Sequence, residues 1–68
     1  MSFISIVTPT FNEQDNIEKF CLAVQFEMKK NSFDYEHIVI DNHSSDKTTE
    51  IVKNLITKDK KLKLIINN

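Results

Sequence analysis

The sequence predicts an α/β protein made of one β-α-β-α-β unit with a parallel sheet. Two observations predict this class. Three short segments are rich in β-branched and aromatic residues, and the two segments between them have helical periodicity. Strands separated by helices pair in parallel, because each helix carries the chain back across the sheet in a right-handed crossover. With 68 residues the chain holds at most one domain.

Three segments are predicted to be strands. They are too short for stable helices and are apolar over most of their length: Phe3–Val7, Tyr35–Ile40 and Leu62–Ile66. The dipeptide Thr8-Pro9 is predicted to end the first strand, since proline has no N–H to donate to a sheet.

The two segments between these strands are predicted to be amphipathic helices. The first has apolar residues at helical spacing: Ile17, Phe20, Cys21, Val24 and Met28. The second has an apolar face of the same kind: Ile51, Val52, Leu55 and Ile56. A capping box between Asp15 and Glu18 is predicted to begin the first helix, which runs to Lys30. Ser44 or Ser45 is predicted to cap the second.

Composition excludes several classes of protein. The net charge of −1 argues against nucleic-acid binding, and no apolar run is long enough to span a bilayer. The N-terminus lacks the features of a signal peptide, and the lone Cys21 cannot form an internal disulfide, so we expect a cytoplasmic protein. A location at the inner membrane face stays open for the complete protein. Glycine and arginine are absent, which excludes a Gly-rich phosphate loop and a bidentate arginine clamp.

Two polar segments, TPTFNE at 8–13 and DNHSSD at 41–46, follow the first two strands. The carboxyl ends of parallel strands meet at one edge of a sheet, where ligands bind in α/β proteins, so a shared crevice is expected there. Phe11 can stack on a base, Glu13 and Asp41 can accept hydrogen bonds from ribose, and Asn42 can pair with a base edge. The alternatives are core packing for Phe11, helix-terminus charge for Glu13, and turn capping for Asp41 and Asn42.

These motifs resemble the beginning of a family 2 glycosyltransferase of the GT-A fold. PTFNE at 9–13 is similar to the family's P-x-Y-N-E, and IVIDNHSSDKT at 38–48 is similar to a strand that ends in V-D-D/N-x-S-x-D-x-T. The resemblance covers almost the whole chain and implies a Rossmann-like sheet with strand order 3-2-1. Residues 1–68 are accordingly expected to be a single, truncated domain.

The resemblance also implies roles for individual residues. Pro9 and Phe11 would flank a nucleotide base, with Phe11 in the position of the common Tyr, and Glu13 would lie near the ribose. Thr8 is assigned to the same pocket, and its far wall would be formed by Ile40, Asp41 and Asn42. Asp46 and Thr48 match later motif positions and are interpreted as structural. His43 and Lys47 depart from the pattern, because the family often has glycine there; a histidine tolerates positive φ better than most residues.

In the complete family enzyme, a sugar is transferred with inversion from a nucleotide-diphosphate sugar to an acceptor hydroxyl. That reaction uses an Asp-x-Asp metal motif, which holds Mg or Mn, and a carboxylate base. The present sequence has neither, so no catalytic residue is expected in it and the chain alone is expected to be inactive. Asp41 and Asp46 are not predicted to bind a metal, because their spacing of five residues across a turn is generic. His37, His43 and Cys21 are not predicted to bind zinc, because their spacing matches no known zinc motif.

Three further expectations complete this interpretation. UDP or dTDP is the expected nucleotide, since the Asn42 amide matches the adjacent donor and acceptor of uracil or thymine. A homo-oligomer is expected through the open edge of strand one. The competing interpretation is a non-enzymatic parallel α/β module, receiver-like or flavodoxin-like. A receiver domain needs additional acids after strand one, and a dinucleotide-binding fold needs glycines there. TPTFNE supplies only one acid and no glycine.

Overall fold

The computed structural model describes residues 3–67, which form three strands and two helices. The elements follow in the order β1 (Phe3–Thr10), α1 (Ile17–Lys30), β2 (Asp34–Asn42), α2 (Thr48–Ile56) and β3 (Leu62–Asn67). The strands are parallel and lie in the order β1-β2-β3, so the predicted class and strand order are confirmed.

Both helices pack on one face of the sheet. Alternate residues of β2 are therefore buried beneath them, namely Tyr35, His37, Val39 and Asp41. The core is formed by six buried side chains: Ile17, Cys21, Val39, Val52, Leu55 and Leu62. In the described residues no helix covers the other face, where Val7 of β1 and Ile65 of β3 are exposed.

Two strands extend further than predicted. β1 continues through Pro9 to Thr10, because a proline is tolerated in a strand at the edge of a sheet. β2 continues to Asn42, so that Asp41 pairs with Thr10 inside the sheet and does not simply follow the strand. Both extensions lengthen the sheet at its carboxyl edge, where the polar segments lie.

The predicted helix caps were wrong. The N-cap of α1 is Asn16, with no side-chain cap; the N–H groups of Asn16 and Ile17 donate to the Glu13 carbonyl at 3.0 and 2.8 Å. Asp15 and Glu18 therefore form no capping box. α2 begins at Thr48, which is too far along the chain for Ser44 or Ser45 to be its N-cap.

The second helix begins beside a different side chain. The Asp46 carboxylate accepts the Thr48 N–H at 2.9 Å and the Thr48 hydroxyl. These bonds satisfy one of the free N–H groups at the start of α2. The interpretation of Asp46 and Thr48 as structural is thereby supported by the geometry.

Candidate functional site: a crevice at the end of β1

Two loops lie at the carboxyl edge of the sheet. The first loop, residues 11–16, joins β1 to α1, and the second loop, residues 43–47, joins β2 to α2. Asn12 and His43 adopt φ of 49° and 69°, a region that asparagine and histidine tolerate better than most residues. His43 thus lies in the left-handed region that favours glycine, the residue that the resemblance described above often places there.

Six hydrogen bonds join the first loop to the second loop and to Thr48 at the start of α2. Asn12 makes three of them: its N–H donates to the Ser44 hydroxyl at 2.8 Å, and its side-chain oxygen accepts the Ser45 N–H at 2.8 Å and the Ser45 hydroxyl at 3.5 Å. The other three are Glu13 N–H to Thr48 Oγ1 at 2.9 Å, Gln14 N–H to Asp46 Oδ2 at 3.2 Å and Lys47 N–H to Gln14 Oε1 at 3.1 Å. The loops therefore form one connected unit.

Asp46 is held ionised within this unit. Burial tends to raise its pKa, but hydrogen bonds from the Thr48 hydroxyl and from backbone N–H groups, among them those of Thr48 and Gln14, lower the pKa below its ordinary value. A carboxylate that accepts this many bonds has little capacity left for a ligand.

A crevice of about 350 Å³ opens beside β1 and the first loop. Its lining consists of Thr8, Pro9, Thr10, Phe11, Glu13, Asn16, Ile17 and Phe20. The Phe11 ring is 57% exposed, so its face is available to a planar ligand. The Glu13 side chain is also exposed, with Asn16 Nδ2 at 3.5 Å from one of its oxygens.

Thr10 is a lining residue that the sequence interpretation missed. It is only 5% exposed, yet its hydroxyl has no hydrogen-bond partner in residues 3–67. Buried hydroxyls are normally paired, so Thr10 is an exception within the described residues. The segment TPTFNE was expected at the crevice, but nothing in the sequence distinguishes Thr10 from its neighbours or marks its hydroxyl as unpaired.

His37 lies behind the crevice wall. Its Nε2 is 2.9 Å from the Thr8 hydroxyl, and its ring meets the Phe20 ring edge to face at 5.9 Å between centroids. Burial lowers the pKa of His37, although the charge of Asp59 opposes the shift. The neutral His37 side chain therefore contacts two lining residues, Thr8 and Phe20, and helps to fix their positions.

The predicted far wall lies on the neighbouring strand and does not line this crevice. Ile40 is half-buried beside Pro9, while Asp41 is 1% exposed and accepts the N–H and hydroxyl of Ser44, the former at 2.8 Å. Asn42 is exposed, and its side-chain oxygen accepts a bond from Asn67 at 2.8 Å. Four of the seven predicted site residues thus come together in the crevice: Thr8, Pro9, Phe11 and Glu13.

The described residues contain no metal centre. In residues 3–67 no group of three or more His, Cys, Asp or Glu side chains is close enough to hold a metal ion. Cys21 is buried in the core, and burial, with a smaller contribution from Asp59, raises the pKa of its thiol to about 11. It is therefore a neutral core residue at physiological pH.

The comparisons with known proteins identify the family. Residues 5–68 match the profile of the family described as "Glycosyl transferase family 2". The chain belongs to this family. The predicted membership is confirmed, and glycosyltransferases are also found among the curated relatives.

Three curated relatives illustrate the match. The chain is 44% identical over 81% of its length to a Methanococcus voltae protein, dolichyl N-acetyl-alpha-D-glucosaminyl phosphate 3-beta-D-2,3-diacetamido-2,3-dideoxy-beta-D-glucuronosyltransferase. It is 39% identical over 98% to the GalNAc(5)-diNAcBac-PP-undecaprenol beta-1,3-glucosyltransferase of Campylobacter jejuni. It is 35% identical over 100% to glycosyltransferase AglE of Haloferax volcanii. The chain spans only 17%, 21% and 22% of these relatives.

Proposed function

We propose that this chain supplies the nucleotide-binding part of a glycosyltransferase that uses a nucleotide-diphosphate sugar. The observation that carries the proposal is the crevice at the end of β1, which combines the exposed Phe11 ring with the exposed Glu13 carboxylate. A ring face and a carboxylate are suited to a base and a ribose.

Each group has a part in this proposal. The Phe11 ring stacks on the base, and Glu13 accepts hydrogen bonds from ribose hydroxyls. Asn42 lies outside the crevice lining at the end of β2, and in residues 3–67 its side chain is bonded through its oxygen to Asn67. When Asn67 releases that oxygen, the amide presents an adjacent donor and acceptor, which match uracil or thymine better than guanine. UDP or dTDP is therefore the proposed nucleotide, in preference to GDP.

The reaction proposed for the complete enzyme is transfer to an acceptor hydroxyl with inversion. Two relatives are named for acceptors that carry dolichyl phosphate or diphosphate-linked undecaprenol, and we extend that acceptor class to this protein. The described residues include no metal centre, so no metal-dependent step is assigned to them; Mg or Mn belongs to the proposed complete enzyme. A cytoplasmic location remains a prediction from the sequence.

Titration of the isotope-labelled protein with UDP, followed by NMR, tests this function. We expect shifts in the amides of 8–13 and an affinity on the order of millimolar, because stacking and a few hydrogen bonds supply the binding energy. Manganese and a chelator should leave the affinity unchanged, and GDP should bind more weakly. Shifts confined to other surfaces, or tight manganese-dependent binding, would contradict the proposal.

Association of two copies through β1 is a second proposal. In residues 3–67 β1 pairs only with β2, so its outer edge has unpaired backbone groups. Val7→Lys adds a charge to this edge strand at an exposed position and should convert dimers to monomers in analytical ultracentrifugation. Ile65→Lys makes the same change on β3 and should leave dimers intact. Dissociation by both variants, or a wild-type monomer at high concentration, would exclude pairing through β1.

A further inference from the structure

The outward side of α1 carries two large apolar side chains. Leu22 and Phe26 lie one helical turn apart and are 47% and 65% exposed. They line a shallow groove with Gln25, Lys29 and Lys30, away from the crevice. This pair is not part of the core, so water covers it in the described structure.

The same side of α1 is basic. An α-helix has about 3.6 residues per turn, so Lys19, Lys29 and Lys30 fall beside the apolar pair. Glu18 is the acid on that side, and Glu27 lies on another side of the helix. The ion pairs in residues 3–67 join β2 to β3 or to the turn before it, and include none of these three lysines. The surface therefore combines exposed apolar area with net positive charge.

We propose that this side of α1 is a docking surface for an anionic membrane. Phe26 and Leu22 enter the boundary between headgroups and acyl chains while the lysines meet anionic headgroups, as in interfacial amphipathic helices. A second copy is a poorer occupant, because a two-fold interface would place this net positive surface against the same net positive surface. Lysine is also depleted in protein–protein interfaces. The proposal does not depend on nucleotide binding in the crevice.

Co-sedimentation with vesicles tests this surface. The protein is mixed with vesicles of phosphatidylcholine alone or of phosphatidylcholine and phosphatidylglycerol in equal parts. We expect preferential binding to the anionic vesicles, with each lysine strengthening it about fivefold. Lys29→Glu with Lys30→Glu should weaken binding roughly twentyfold or more, and Leu22→Ser with Phe26→Ser roughly tenfold or more.

Matched variants serve as controls. Lys53→Glu with Lys58→Glu makes the same charge change on and just after α2, and Ile65→Ser removes an exposed apolar side chain from β3. Both should retain binding, and circular dichroism verifies folding throughout. The proposal is overturned by equal binding to both vesicle types, by absence of binding, or by equal losses in the controls. It is also overturned if Leu22→Ser with Phe26→Ser dissociates a dimer in the absence of vesicles.

Discussion

The two loops at the carboxyl edge of the sheet have similar polar composition but different structural roles. In and beside the second loop, the carboxylates of Asp41 and Asp46 accept hydrogen bonds from Ser44 and Thr48. In the first loop, the Phe11 ring and the Glu13 carboxylate are exposed beside the crevice. The second loop thus holds the first in position, and the first provides the surface for a ligand.

The largest expected effect comes from the buried carboxylate beside the second loop. Asp41→Ala should lower the free energy of unfolding by about 2–4 kcal/mol, because two hydrogen bonds to a buried acceptor are lost and the Ser44 donors are left without it. Asn42→Ala is the matched control at an exposed position and should cost about 0.5 kcal/mol or less. Chemical denaturation measures both. If Asp41→Ala kept its stability and lost UDP binding, Asp41 would be a binding residue.

A smaller effect is expected from the exposed ring of the first loop. Phe11→Ala should weaken UDP binding about tenfold, because stacking on a base contributes about 1–3 kcal/mol, and should leave stability nearly unchanged. Phe11→Tyr keeps the ring and should keep the affinity. Phe26→Ala removes an exposed ring elsewhere and serves as the control. Loss of stability in Phe11→Ala would make this ring a packing residue.

The smallest expected effect concerns the two histidines and pH. Burial lowers the pKa of His37 below its ordinary 6.5, so the unfolded chain takes up a proton at higher pH than the folded chain does. The stability associated with neutral His37 is complete above about pH 6.5 and should decline as pH falls through the lowered pKa.

Unfolding measured between about pH 8 and pH 5 would follow this decline. His37→Gln should reduce this pH dependence more than His43→Gln, which changes an exposed histidine of the second loop. If His37→Gln is too unstable to measure, NMR titration of the His37 ring in the wild-type protein gives the pKa of His37 directly. A His37 pKa at or above 6.5 would contradict the expected direction.

The architecture could be predicted because apolar periodicity depends on local sequence. Strand and helix positions follow from it, and the strand order agrees with the resemblance to glycosyltransferase family 2. The helix caps could not be predicted in this way. The groups at the start of α1 and α2 are bonded through Glu13 and Asp46, and choosing among nearby acids, amides and hydroxyls requires the path of the backbone.

The candidate site was predictable only in part for a related reason. The motif residues Pro9 and Phe11 could be assigned to one crevice, but the sequence gives no sign that the Thr10 hydroxyl is unpaired. It also gives no sign that both Asp41 oxygens are engaged by Ser44. These facts depend on contacts between the strand ends and the loops.

The bonds between the two loops also affect hydrogen exchange and folding kinetics. The N–H groups of Asn12, Glu13 and Gln14 donate to residues 32 to 35 positions later in the chain. These bonds require the closure of long segments of chain, so we expect the crevice to be completed late in folding. The same amides should exchange with solvent at the slow rate of the sheet, although loop amides usually exchange quickly.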